Sequence, residues 1–383
     1  MNNAASTEEH TLSQFDAYGG QTLWFPVVAL ISFGLLFVYS ASSVYAAQKY
    51  GDEFLFAKKQ IFFLLPGAFA AFIGAKFPLE KLQKWSLYLF FGSLLLTSLT
   101  LAPVIGKRIL GAARWITLMG FQLQPSEFLK ITSILFLAGN LSSPKFKWTA
   151  LLPLLLAFAV LLKQPDFGTT VILFIGIAST LFFYGIPKRY FFGGLALLLP
   201  VMGALAIAAP YRLKRLVAFL DPFSDPLGSG FQVIQSFVAI ASGGLFGKGL
   251  GGSQQKLFFL PEAHTDFILS VIGEEMGFVG LIIIFLIYAI LFYSLLQLLL
   301  AVHEPFHRMV TAGLLAMIAA STLVNMGVCA GLLPTKGLTL PFISSGGSSL
   351  VANLFSMGIL AQIHAKAYIR QIGGLASHVQ GNR

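Results

Sequence analysis

Asp266 lies in the run Leu260-Pro-Glu-Ala-His-Thr-Asp-Phe-Ile268, where a polar loop enters an uncharged hydrophobic stretch, with Glu262 and His264 just before it. A carboxylate is costly to hold at a membrane surface, so this one is read first as a group that does chemistry. Three more segments gather polar residues between apolar runs. From Gly111 the chain reads as a turn-rich loop leading into Gln124-Pro-Ser-Glu-Phe-Leu-Lys130, which opens a helix, and Pro125 and Glu127 in its first turn are ordinary start signals. Lys130 falls one turn further in, where a lone ammonium is costly, and its spacing predicts an ion pair with Glu127. Lys163-Gln-Pro-Asp-Phe-Gly-Thr169 is a tight connection in which Asp166 reads as the cap of the next helix, close enough to Lys163 to line a polar cavity as well. Leu333-Pro-Thr-Lys-Gly-Leu-Thr-Leu-Pro-Phe-Ile-Ser-Ser-Gly-Gly-Ser-Ser349 holds two prolines and three glycines, so it must line protein or water rather than lipid, and Ser344 can offer a donor to a diphosphate or sugar.

The stretch from Pro210 to Thr265 is too long for a simple connector, which marks it as functional. Phe231, Ile234, Phe237, Val238 and Ala241 recur at three-and-four spacing and predict an amphipathic helix that lies at the interface or re-enters. Gly243-Gly-Leu-Phe-Gly-Lys-Gly-Leu-Gly-Gly252 follows, and its glycines allow either a hinge or a close approach of backbone amides to an anion beside Lys248. It lacks the strand context and the terminal Lys-Ser/Thr of a nucleotide loop, so no nucleotide is expected. Glu274 and Glu275 lie about two turns beyond Asp266, too far for a catalytic pair, and read as buried structural acids facing Lys130 or a backbone donor.

These residues need rigid elements to hold them. The 383 residues are 56% hydrophobic and 10% charged, with mean hydropathy +0.81. That balance defines an all-α polytopic membrane protein, because about 20 apolar residues cross the hydrocarbon as a helix and no alternating ten-residue pattern suggests a barrel. Ten spans are expected at about 22–44, 60–77, 84–104, 126–142, 148–163, 167–186, 190–209, 267–300, 308–333 and 347–368. The plan is a polar tail over 1–20, a membrane domain over 21–370 with a large loop at 210–266 between spans seven and eight, and a tail over 371–383. No basic stretch precedes the first apolar run, so no cleaved signal is expected. Both termini then share one side, and basic residues in the short loops favour the cytoplasm for it only weakly. The cations left on the opposite face match either an anionic partner such as a lipid diphosphate or ordinary lipid phosphates. The single cysteine, Cys329, rules out a disulfide framework, and no zinc-ligand spacing is present.

Taken together, Pro-Glu-Ala-His-Thr-Asp-Phe-Ile with Gly-Glu-Glu-Met-Gly, Gln-Pro-Ser-Glu-Phe-Leu-Lys, Gln-Pro-Asp-Phe-Gly-Thr and Pro-Thr-Lys-Gly-Leu-Thr-Leu-Pro-Phe-Ile-Ser resemble the SEDS family (shape, elongation, division and sporulation) over essentially the whole chain. The wording is nearer to its division branch than to its elongation branch. Ser345 departs from the family, which usually has tyrosine there. The resemblance implies a ten-span peptidoglycan glycosyltransferase of the bacterial cytoplasmic (inner) membrane that polymerises lipid II on the outer face during septal wall synthesis. It also implies a class B penicillin-binding transpeptidase and other divisome membrane proteins as partners, a divalent cation (Mg²⁺ or Mn²⁺), and no nucleic acid.

Such a reaction removes a proton from the acceptor C4 hydroxyl as it attacks C1 of the donor, and stabilises the departing diphosphate. Asp266 is then the expected base, kept ionised by nearby cations together with solvent at the helix end. Arg114, Lys130, Lys248 and Lys336 are candidates for the leaving-group charge, His264 for orientation, and Glu127, Glu262 and Ser344 for substrate contacts. Two other readings stay open: a lipid II flippase, and a non-catalytic division scaffold.

Overall fold

The computed structural model describes residues 2–103, 106–109, 112–118, 121–143, 148–207, 210–256 and 260–381. Gly111, Met119 and Gly120 of the loop before Gln124, and the last two residues of the C-terminal tail, lie outside them. The runs of Leu, Ile and Phe form helices because a helix is the one local structure that satisfies its own backbone in hydrocarbon. The helices are α1 (Asn2–Tyr50), α2 (Leu55–Lys76), α3 (Leu79–Leu99), α4 (Pro125–Leu141), α5 (Leu152–Lys163), α6 (Phe167–Tyr184), α7 (Lys188–Ile207), α8 (Pro210–Leu220), α9 (Phe231–Gly243), α10 (Ile268–Ala301), α11 (Pro305–Cys329) and α12 (Gly347–Gly381). The first seven and the last three stand where the sequence places its ten spans, while α8 and α9 belong to the long loop. Among the described residues, six helices are long and apolar enough on their own to cross a membrane: Thr22–Tyr50 of α1, α2, α6, α10, α11, and Gly347–Ile369 of α12.

Helix α4 is buried along nearly its whole length. It packs on α3, α6 and α11, while α2 pairs with α12 and α1 with α10. Phe90 of α3 stacks on Phe136 of α4 at 4.6 Å between ring centroids, which joins two of these layers by aromatic burial.

Two features differ from the sequence expectation. Helix α3 stops at Leu99 rather than near 104, because the Thr100 hydroxyl turns onto the carbonyls of Thr97 and Ala113. The turn-rich loop expected before Gln124 is instead a small antiparallel sheet, β1 (Gly106–Ile109), β2 (Ala112–Leu118) and β3 (Phe121–Leu123), in the order β1-β2-β3. Its register pairs Lys107 with Trp115 and Thr117 with Gln122, so Arg114 is carried on the central strand. Helix α9 buries its small-residue face, Val233, Ser236, Ala239 and Gly243, and leaves the larger apolar set from Phe231 to Ala241 half-buried or exposed. Small residues let α9 approach α10 closely, and the Ser236 hydroxyl meets the Ser270 hydroxyl at 2.6 Å and the Cys329 carbonyl at 2.8 Å.

Helix α10 is broken at Gly277, whose φ of 68° and ψ of −164° suit glycine alone. A Cβ there would stand 2.3 Å from the Gly247 nitrogen. The glycine-rich segment fills the break: Phe278 and Val279 donate to the carbonyls of Gly244 and Leu245, and Lys248 and Gly249 donate to those of Glu274 and Glu275. Orphaned helix groups are thereby paired inside an apolar region, where leaving them open would be costly.

Candidate active site at the Asp266 turn

The turn before α10 is organised by one carbonyl. The N–H groups of Thr265, Asp266 and Phe267 all converge on the Glu262 oxygen at 3.1–3.3 Å, and Glu262 accepts the left-handed backbone (φ 57°) that this wrap requires. The loop after α11 clamps the same turn from the other side. The Ser344 hydroxyl donates to the Thr265 carbonyl at 2.6 Å and accepts from the Leu340 amide, and the Ser345 amide donates to the His264 carbonyl. From α11, the buried Asn325 amide donates to both the Asp266 carbonyl (2.9 Å) and the Leu338 carbonyl (2.7 Å), tying turn and loop together.

Asp266 is therefore fixed by its backbone, yet among the described residues its half-buried carboxylate receives no hydrogen bond and no ion pair within 4 Å. Burial, and after it the Glu262 charge, push the carboxyl up to about 7, against the opposing pull of Arg215 and Arg114. The cations and solvent expected to keep it ionised are thus outweighed, because both arginines act at a distance while the loss of water acts at the carboxylate itself.

The sequence-predicted residues divide into those this turn gathers and those held elsewhere. Arg114 donates to the Pro165 carbonyl and stands 3.8 Å from Asp166, which caps α6 through the Thr169 amide as expected. Glu262 is exposed and accepts from the Thr265 hydroxyl at 2.9 Å. His264 packs on Phe56 at 4.3 Å and on Tyr45, and burial holds its imidazole below the usual value. Lys336 lies over the Phe167 ring at 4.7 Å, and burial lowers its ammonium.

Glu127 and Lys130 form their ion pair at 3.0 Å, but in a separate small cavity with Ser321, Asn353 and Ser356. Lys248 pairs with Glu274 at 2.8 Å. Glu274 also accepts from the Ser253 hydroxyl and the amides of Gln254 and Gln255. Glu275 accepts from Lys256 and Ser40. The partner of these two acids is therefore not Lys130, and the anion met by the amides that follow the glycine-rich segment is the protein's own carboxylate.

Two residues near Asp266 escape the sequence reading. Arg215 on α8 donates to the Thr335 carbonyl at 3.1 Å, so a cation 51 residues before Asp266 (266 − 215) acts on it through the fold. Asn325 sits in an apolar helix where nothing in the sequence marks its two carbonyl partners. Its only signal is an amide within an otherwise apolar run.

For a divalent cation the fit is poor. Among the described residues no three His, Cys, Asp or Glu side chains come together, so these residues offer no ready-made cage of the kind a resident ion needs.

A polytopic helical bundle with a rigid turn that presents an acid without a side-chain donor among the described residues defines a membrane protein with a candidate acid-base site. The chain belongs to the cell cycle protein family of FtsW, RodA and SpoVE, whose family model matches residues 21–369. It is 44% identical over 356 residues to the "Probable peptidoglycan glycosyltransferase FtsW" of Trichlorobacter lovleyi, covering 91% of this chain and 93% of that one. It is 40% identical to the "Stage V sporulation protein E" of Bacillus subtilis, covering 87% and 93%. Among solved structures, one described as "Structural coordination of polymerization and crosslinking by a peptidoglycan synthase complex" matches at TM-score 0.73 and 34% identity, over 90% of this chain and 97% of that one. The rod shape determining protein RodA of Thermus thermophilus matches at TM-score 0.66 and 30% identity, over 90% and 96%.

Proposed function

We propose that this protein is a peptidoglycan glycosyltransferase of septal wall synthesis that polymerises lipid II, with Asp266 as general base. The observation that carries the mechanism is the Asp266 carboxylate: backbone-fixed, without a side-chain donor, and with a carboxyl raised to about 7. A base is most effective when its pKa lies near the working pH, because it is then both ionised and able to hold a proton. Asp266 takes the proton from the acceptor C4 hydroxyl, the oxygen bonds to C1 of the donor sugar, and the bond from C1 to the diphosphate oxygen breaks. The lipid diphosphate leaves with the electron pair, and inversion at C1 gives the β-1,4 link.

Lys130 and Lys248 already face Glu127 and Glu274. Arg215 and Lys336, with Arg114 in its looser 3.8 Å contact to Asp166, are thus the cations best placed to meet the diphosphate. A divalent cation, if the reaction uses one, takes most of its ligands from substrate phosphates.

The relatives named peptidoglycan glycosyltransferase support the reaction class. The neighbour described as a peptidoglycan synthase complex supports a crosslinking partner, of which a class B penicillin-binding transpeptidase is the expected kind. In this reading both termini are cytoplasmic, the Asp266 turn faces outward, and other divisome membrane proteins bind the bundle. The test is polymerisation of purified lipid II by the reconstituted protein with its transpeptidase, comparing wild type with Asp266→Ala. Glycan strands from wild type and none from the variant support the reading, and equal yields overturn the base.

A further inference from the structure

Gly337 is an exposed glycine beside the Asp266 carboxylate, and nothing in the fold requires it to be glycine. Its φ lies outside the left-handed region, so an L side chain would meet no backbone strain. Among the described residues, an added Cβ would come within 4 Å of a single atom outside the adjacent residues, the Asp266 Oδ2, at 3.4 Å. That is ordinary contact. Gly277, by contrast, is forced both by its angles and by the backbone packed on it.

The position is also held in register with the acid. Asn325 bonds both the Asp266 and the Leu338 carbonyls, Arg215 bonds the Thr335 carbonyl, and the Leu338 amide closes a tight turn onto the Lys336 carbonyl at 2.9 Å. Gly337 is the centre of that turn. What the missing side chain leaves open is the space in front of a carboxylate that has no donor of its own.

We propose that Gly337 determines access to Asp266: the bare peptide at 337 forms the floor over which the acceptor sugar slides to bring its hydroxyl to the carboxylate. A pyranose ring can lie flat on a glycine peptide, whereas a branched side chain there would stand in its path. The identity of the sugar rests on the proposed function, but the open approach to the carboxylate does not.

The experiment uses the full-length protein in detergent and in liposomes, with Gly337→Ala, Gly337→Val and Asp266→Asn. Labelling of Asp266 by a water-soluble carbodiimide and a small amine, read by peptide mass spectrometry, measures access without any turnover, and Asp266→Asn sets the background. Labelling is expected to fall from wild type to Ala to Val. With lipid II and the transpeptidase partner, Gly337→Val should lose about a hundredfold in kcat/KM, since displacing a reacting group by about an ångström has that effect. Gly337→Ala should raise KM with a smaller change in kcat, at an unchanged melting temperature. Wild-type labelling or wild-type polymerisation by Gly337→Val overturns the proposal. If Val lowers the melting temperature, Ala decides: reduced labelling supports access control, and unchanged labelling overturns it. Glycan synthesis by Asp266→Ala would sink the base assignment instead, while the labelling comparison would still judge the access claim.

Discussion

Asp266 and the pair Glu274–Glu275 are acids of one short stretch of chain, yet the fold treats them in opposite ways. Both glutamates are fully buried, and each has a lysine, a serine hydroxyl and at least one backbone amide on it. Asp266, just over two helical turns away, has its backbone clamped from three sides and, among the described residues, its carboxylate left without a donor. The first arrangement neutralises charge and closes the break at Gly277. The second leaves a carboxylate whose proton is easily exchanged. A satisfied buried acid is structural, and an unsatisfied one held rigid beside open space is equipped to react.

The contrast can be broken by substitution. Asp266→Ala should lower glycan synthesis by about 10²–10⁴-fold, the usual contribution of a general base, with no loss of melting temperature. Glu275→Ala should act the other way round, costing about 3–5 kcal/mol of stability because Lys256 is left buried and unpaired. Adding Lys256→Met to it should recover much of that loss, which thermal melting in detergent would register. Recovery of activity by the first variant, or full stability in the second, would erase the distinction.

Smaller effects sharpen it. Asn325→Ala should cost about 1–3 kcal/mol by leaving the Asp266 and Leu338 carbonyls short of a donor, again read by melting. Arg215 lowers the Asp266 carboxyl, so Arg215→Ala should move the acid limb of the rate profile upward, by a fraction of a pH unit because the arginine is exposed. The raised carboxyl also makes a stability prediction. Between 3.8 and about 7 the folded protein binds more protons than the unfolded chain, so stability from this group is full below 3.8 and is lost as pH rises through 7. Asp266→Asn should flatten that slope.

Much of this was legible in the sequence, for reasons that differ by residue. The spans follow from uncharged length, the Asp166 cap from its place before a helix, and the Glu127–Lys130 pair from three-residue spacing. Asp266 stood out because an acid at the end of an apolar run needs a reason. The small sheet was hidden because its strands are three to seven residues long and sit among turn residues. The break at Gly277 was hidden by an apolar run that continues through it. The pairings of Glu274 with Lys248 and of Glu275 with Lys256 join residues 26 and 19 apart in different elements, which no local periodicity reports. The direction of the Asp266 shift was misjudged because neighbouring cations can be counted in a sequence and loss of water cannot.

The pH dependence of glycan synthesis tests the role of Asp266 most directly. With purified protein, its transpeptidase and lipid II, the rate should rise about tenfold per pH unit on the acid side and level off above about 7, where the carboxylate is ionised. A rate that is flat from pH 5 to about 7, with the substrate and partner shown to be stable, would contradict it.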